Sequence, residues 1–291
     1  MRLPTVLFAW TFAVSGSVVS AAAQATPMPP RGAFVAVNGG RLYAEECGTG
    51  ADAVVLVHDG IVHSAVWDEV WPSFCKRFHT VRYDRRGYGR SPVTTAWYSE
   101  TDDVAAILHH AGVTRATLVG SSHGGEISID FVLAHPDLVT RLIVVGAVVG
   151  GLPYTEHFIA RGAANSALFG KGDISGGLRA WSNDRYLIAP GNDEARRKLL
   201  ALLLENPQDM SHADQPIRPK PALGRLAEIG VPTLVLVGDA DIADVHAHAG
   251  AIEAGIPRAR RIVIPGVGHL MYLERPELFT RAVMSFLDAN P

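Results

Sequence analysis

The chain alternates short apolar runs with longer stretches whose apolar residues recur at helical spacing. Residues 33–37 and 41–45 are strand-like runs separated by Asn38-Gly39-Gly40, the mark of a tight antiparallel hairpin. Residues 53–57 are continuously apolar, which predicts a strand buried on both faces. Val66, Val70, Phe74 and Phe78 predict an amphipathic helix over 67–78. A strand over 80–83 and a helix over 99–111 follow, with Ser99 or Thr101 near its cap. Next come an apolar run over 116–119, a helical stretch over 126–134 and another apolar run over 141–145. From 53 to 146, then, strands and helices alternate with short connections, as in a parallel sheet covered by helices on both faces.

The alternation stops after Gly150. Residues 151–220 are richer in Gly, Pro, Asn and charge, with helical stretches, notably over 194–205, and no convincing strand. They read as a helical insertion whose exit is marked by Pro216, Pro219 and Pro221. Strand, helix, strand and helix then resume over 232–237, 244–254, 261–264 and 276–287. The expected fold class is α/β: a mostly parallel, twisted sheet of about eight strands with helices on both faces and a helical insertion. The expected divisions are 26–150 and 221–291 for the sheet and its helices and 151–220 for the insertion.

Residues 1–25 form a separate object. Arg2 precedes an apolar run over 6–14 and a small-residue stretch ending Ala21-Ala22-Ala23-Gln24-Ala25. That is the three-part pattern of a secretory signal peptide, with cleavage near Ala25, and the run is short for a membrane span. The mature chain is therefore expected without a membrane span, either secreted or periplasmic; an uncleaved anchor is the alternative. Export gives weight to the two cysteines, Cys47 and Cys75: an oxidising compartment permits a bridge, and two buried thiols are the other reading. A net charge of -3 without a basic stripe argues against nucleic acid as a partner. Neither a dinucleotide glycine pattern nor metal-ligand spacing is present, so no cofactor and no metal are expected.

The chemistry concentrates at Gly120-x-Ser122-x-Gly124, between an apolar run and a helical stretch. By itself this motif arises by chance in roughly one chain in ten of this length. Its strand-before, helix-after context reads as a sharp turn with Ser122 at the tip and the His123 amide facing the same space. A serine hydroxyl needs a base in reach, and an imidazole needs a carboxylate to fix its tautomer. Asp241 and His269 follow two later strand ends, where ligands of an open parallel sheet bind. Asp239 and Asp244 are rivals for the carboxylate.

Five motifs in order make the chain resemble the α/β-hydrolase fold family over nearly all of 33–291. They are His58-Asp59-Gly60, Asp84-x-Arg86-Gly87-Tyr88-Gly89-x-Ser91, Gly120-x-Ser122-x-Gly124, Gly238-x-x-Asp241, and Gly268-His269 with Glu274-x-Pro276 behind it. The resemblance implies Ser122 as nucleophile, His269 as general base, Asp241 as its orienter and a cap formed by 151–220. It also implies an oxyanion hole from the amides of Gly60 and His123. Asp59 departs from the family pattern, standing where a glycine is usual; it either brings charge near that hole or turns away to bind backbone. Asp59, Ile61 and His63 are the expected pocket residues, and His58 is expected to brace the loop.

Serine at the turn argues for acyl transfer over epoxide opening or dehalogenation, for which the family usually carries Asp. The leading expectation is an exported serine hydrolase acting on a small to medium carboxylic ester, thioester or lactone, a small-molecule acyl substrate. Carbon–carbon bond hydrolysis, small-peptide amide cleavage and acyl transfer use the same triad. A non-catalytic ligand-binding member belongs to another class, and the intact triad argues against it.

Overall fold

The computed structural model describes residues 31–210 and 215–290. The signal-peptide segment expected over 1–25 lies outside the described residues. Eight strands form one sheet in the order β1-β2-β4-β3-β5-β6-β7-β8. In chain order they are β1 (Arg31–Val37), β2 (Gly40–Cys47), β3 (Ala53–Val57), β4 (His79–Tyr83), β5 (Ala116–Ser121), β6 (Val139–Val145), β7 (Thr233–Gly238) and β8 (Ala259–Ile264). β1 and β2 form the antiparallel hairpin, β2 pairs antiparallel with β4, and every other pairing is parallel.

β3 is apolar throughout, and β6 and β7 are largely so, because both of their faces are covered. Successive side chains point to opposite faces, so Val55 and Val57 enter one core while Val54 and Leu56 enter the other. β6 and β7 divide likewise: Leu142, Val144, Val235 and Val237 lie on one side, and Ile143, Val145, Leu234 and Leu236 on the other.

Helices α1 (Trp71–Cys75), α2 (Glu100–His110) and α3 (His123–Ala134) connect the first strands. Three more, α4 (Glu156–Ser166), α5 (Ile174–Ser182) and α6 (Asp193–Glu205), lie between β6 and β7. The chain closes with α7 (Ala243–Gly255), α8 (Met271–Glu274) and α9 (Pro276–Ala289). Among the described residues, no helix is long and apolar enough to cross a membrane.

The single helix expected over 67–78 is not formed. Ser64–Trp67 makes a 3-10 turn and α1 restarts with Pro72 in its first turn. Proline has no N–H for the carbonyl one turn back, so it starts a helix more readily than it continues one. Cys47 at the end of β2 and Cys75 at the end of α1 are joined by a disulfide, with Cα atoms 5.3 Å apart. Of the two readings open for these cysteines, the structure holds the bridge.

Candidate active site

β5 ends at Ser121, and α3 begins two residues later. Ser122 between them has φ 51° and ψ -117°, the sole non-glycine residue at positive φ among the described residues. The turn survives because its flanks are bare. A Cβ on Gly120 would meet the Gly124 carbonyl and Ser128 Oγ, and one on Gly124 would meet the backbone of Val57 and His58. Backbone bonds lock it: Ser122 N–H donates to the Val145 carbonyl at 2.9 Å, and its own carbonyl accepts from Gly125 and Glu126. Such strain, of order 1–3 kcal/mol, persists only where the surroundings enforce it.

His269 follows β8 and Asp241 follows β7, adjacent in the sheet. His269 Nδ1 lies 2.7 Å from Asp241 Oδ2, and the Asp241 side chain is 1% exposed. A carboxylate only accepts, so Nδ1 carries the proton and Nε2 is the basic atom of the neutral ring. Asp241 Oδ1 is fixed by the Ile242 N–H at 2.7 Å. Burial alone would depress the His269 imidazole; the charge and hydrogen bond of Asp241 outweigh it, and its pKa is raised. The rival carboxylates are engaged elsewhere. Asp239 Oδ1 accepts from Gly266 and Val267, and Asp244 holds the N–H and hydroxyl of Thr155, the cap of α4.

The loop after β3 is braced from beneath. His58 Nε2 accepts the Arg85 N–H at 2.9 Å, so its Nδ1–H donates to the Asp59 carbonyl at 2.7 Å. Arg85 Nη1 donates to the same carbonyl at 3.0 Å. In a trans peptide the C=O and N–H point opposite ways, so these two donors aim the Gly60 N–H away from themselves. Burial, with Arg85 beside it, holds the His58 imidazole well below its ordinary pKa, suiting a neutral brace.

Asp59 turns inward. Its Oδ1 accepts from the Ile61 and Val62 amides at 2.6 and 3.0 Å, and its Oδ2 from the Tyr272 hydroxyl at 2.8 Å. Both oxygens are committed, so the structure places Asp59 beneath the loop and not in a pocket. His63, also expected to line the pocket, is buried against Asp209 at 2.8 Å. Ile61 does line the cavity described below.

His123, next to Ser122, is clamped: Nδ1 lies 3.0 Å from Glu126 and Nε2 3.1 Å from Glu100, which also takes Arg85 at 2.8 Å. Burial would lower this imidazole, but Glu100 leads a set of partners that raises its pKa. A hypothetical Cβ on Gly60 would sit 3.8 Å from His123 Cβ, so the two expected oxyanion donors are neighbours.

Sequence reasoning missed one support. Glu274 accepts the Gly268 N–H at 2.6 Å and the Ala189 N–H at 2.9 Å, bridging the His269 loop to the segment before α6. Its motif was visible, but its partner across 85 positions was not.

Ser122, Asp241 and His269 line one cavity of about 90 Å³, roofed by Phe158, Trp181 and Leu187 of the segment between β6 and β7. A larger depression of about 500 Å³, lined by groups such as Glu69, Asn192 and Lys198, contains none of these three.

A model of the alpha/beta hydrolase fold matches residues 52–276. The pimeloyl-[acyl-carrier protein] methyl ester esterase of Edwardsiella ictaluri is 27% identical over 86% of this chain and 98% of its own length. Polyketide synthase ThaQ of Burkholderia thailandensis is 30% identical over 81% of this chain, which spans only 12% of that longer protein. Among solved structures, Est816, described as an N-acyl homoserine lactone degrading enzyme, aligns with a TM-score of 0.70 at 27% identity. That alignment covers 87% of this chain and 100% of Est816.

Proposed function

The chain belongs to the α/β-hydrolase fold family, and we propose that it is an exported serine hydrolase cleaving a small to medium carboxylic ester, thioester or lactone. The observation that carries this reading is the 2.7 Å contact of His269 Nδ1 with Asp241, in a cavity shared with a serine on a strained turn. In the proposed reaction His269 Nε2 takes the Ser122 proton as Oγ attacks the carbonyl carbon. The imidazolium, stabilised by Asp241, then protonates the departing alcohol, thiol or lactone oxygen. The Gly60 and His123 amides hold the oxyanion. Water, deprotonated by His269, attacks the acyl-enzyme, and the acid leaves as Ser122 regains its proton.

Relatives named for methyl ester and lactone substrates support acyl chemistry. Residues 151–220 act as the cap in this reading. Export rests on the leader-like pattern of 1–25 and is supported by the Cys47–Cys75 disulfide, since such bridges persist in oxidising compartments.

The test is covalent labelling by a fluorophosphonate with esterase assays alongside. The expected result is a single adduct on Ser122 and loss of both labelling and turnover in Ser122→Ala. Undiminished esterase activity in Ser122→Ala would falsify the proposal.

A further inference from the structure

Resting on the reading of Ser122 as nucleophile, we propose that the cavity beside it admits only a short hydrocarbon arm of the substrate. The arm is three or four non-hydrogen atoms long, and Trp181 and Phe158 set the limit. The volume carries the first part. About 90 Å³ is available over Ser122 and His269. Pockets for drug-sized ligands run to roughly 300–1,000 Å³, and a water-sized group occupies roughly 30 Å³ in a liquid.

The walls carry the second part. Val148, Ile242 and Val245 close the sides and are themselves buried. Apolar walls leave a polar arm without partners, which is costly. Arg161 brings a charge to this wall, but its Nε is bound to Asp184 at 2.7 Å and the Asp184 side chain is 5% exposed. The pair is neutral as a unit and does not call for an anionic substrate.

The roof is braced, so the limit is not a matter of a loose side chain. Trp181 Nε1 donates to Ser166 Oγ at 3.3 Å, and the Arg161 guanidinium lies 5.5 Å from the Trp181 ring. Phe158 is stacked on Tyr154 with ring centres 4.3 Å apart. Asp184 also takes the Tyr186 and Leu187 amides, which ties the roof to the segment lying against His269.

The arm is either the acyl chain or the alkyl group of the alcohol; the chemistry is the same, and two ester series separate them. One series runs from p-nitrophenyl acetate to decanoate, the other from methyl to octyl acetate. Expected is a fall in kcat/KM of at least about tenfold between four and eight carbons in one series and not in the other. In Trp181→Ala that fall should flatten, read as the ratio of kcat/KM for the four-carbon to the eight-carbon ester within the same variant. Phe158→Ala provides a second, independent enlargement should the first variant fold poorly. A fall in neither series overturns the proposal, as does a fall of full size in both enlarged variants while they hydrolyse the shortest ester. Unchanged series in Ser122→Ala would instead overturn the nucleophile reading, and this inference with it.

Discussion

The backbone N–H of His269 donates to the carbonyl oxygen of Tyr186 at 2.8 Å. The next residue repeats the pattern, Leu270 N–H to the Leu187 carbonyl at 3.1 Å. The candidate base is thus held by Asp241 through its ring and by the segment between α5 and α6 through its backbone. Covering the cavity and orienting the imidazole are, in this chain, tasks of one stretch of residues.

Glu274 completes that bridge, and burial raises its pKa. Glu274→Gln turns one acceptor into a donor facing an N–H. Leaving a buried donor unmatched costs about 1–3 kcal/mol, so urea unfolding should show a loss of that size. Steady-state kinetics should show kcat falling more than KM rises, because His269 loses its position while the cavity walls stay. A variant matching the parent in both measurements would remove Glu274 from the positioning of His269.

The Asp241 contact predicts a pH dependence. In the proposed mechanism His269 acts as a base only when neutral, and its pKa is raised. Activity should therefore fall as pH drops through a value above the ordinary imidazole pKa of about 6.5. Asp241→Asn removes the charge that raises it, moving the acid limb to lower pH. The maximal rate should drop by about 10²–10⁴, through loss of the tautomer and of imidazolium stabilisation. A pH–rate profile of both proteins checks direction and size.

Backbone strain at Ser122 gives an opposite pair of effects. Ser122→Gly should stabilise the fold by about 1 kcal/mol, since glycine accepts this φ and ψ without penalty. It should at the same time abolish turnover. Calorimetry on Ser122→Gly and Ser122→Ala separates the two, because alanine removes the hydroxyl but keeps the strain.

The Cys47–Cys75 bridge closes a loop across a separation of 28 positions. In the chain-entropy account that is worth about 3–4 kcal/mol. Denaturant unfolding with and without a reductant should show a midpoint shift of that order. A Cys47→Ser/Cys75→Ser double variant should reproduce the reduced protein.

Where sequence and structure part, local and distant information part too. The hairpin at Asn38-Gly39-Gly40 and the two-sided burial of 53–57 were legible, because turn chemistry and side-chain alternation act over a few residues. The helix expected over 67–78 failed on a single local rule, the missing N–H of Pro72. The placement of Asp59 and His63 rests on information of another kind. Each meets a partner far along the chain: Tyr272 across 213 positions and Asp209 across 146. No periodicity near either residue records those meetings.

The sequence alone determined the alternation of elements, the turn that strains Ser122, and the candidate groups at strand ends, since each follows from the dihedral and burial preferences of neighbouring residues. Tertiary structure decided which of three nearby aspartates faces His269, where Asp59 points, and how little room the roof leaves above Ser122. Those outcomes depend on strand register and on how α4 to α6 settle over the sheet, and contacts between distant residues are fixed only when the whole core packs.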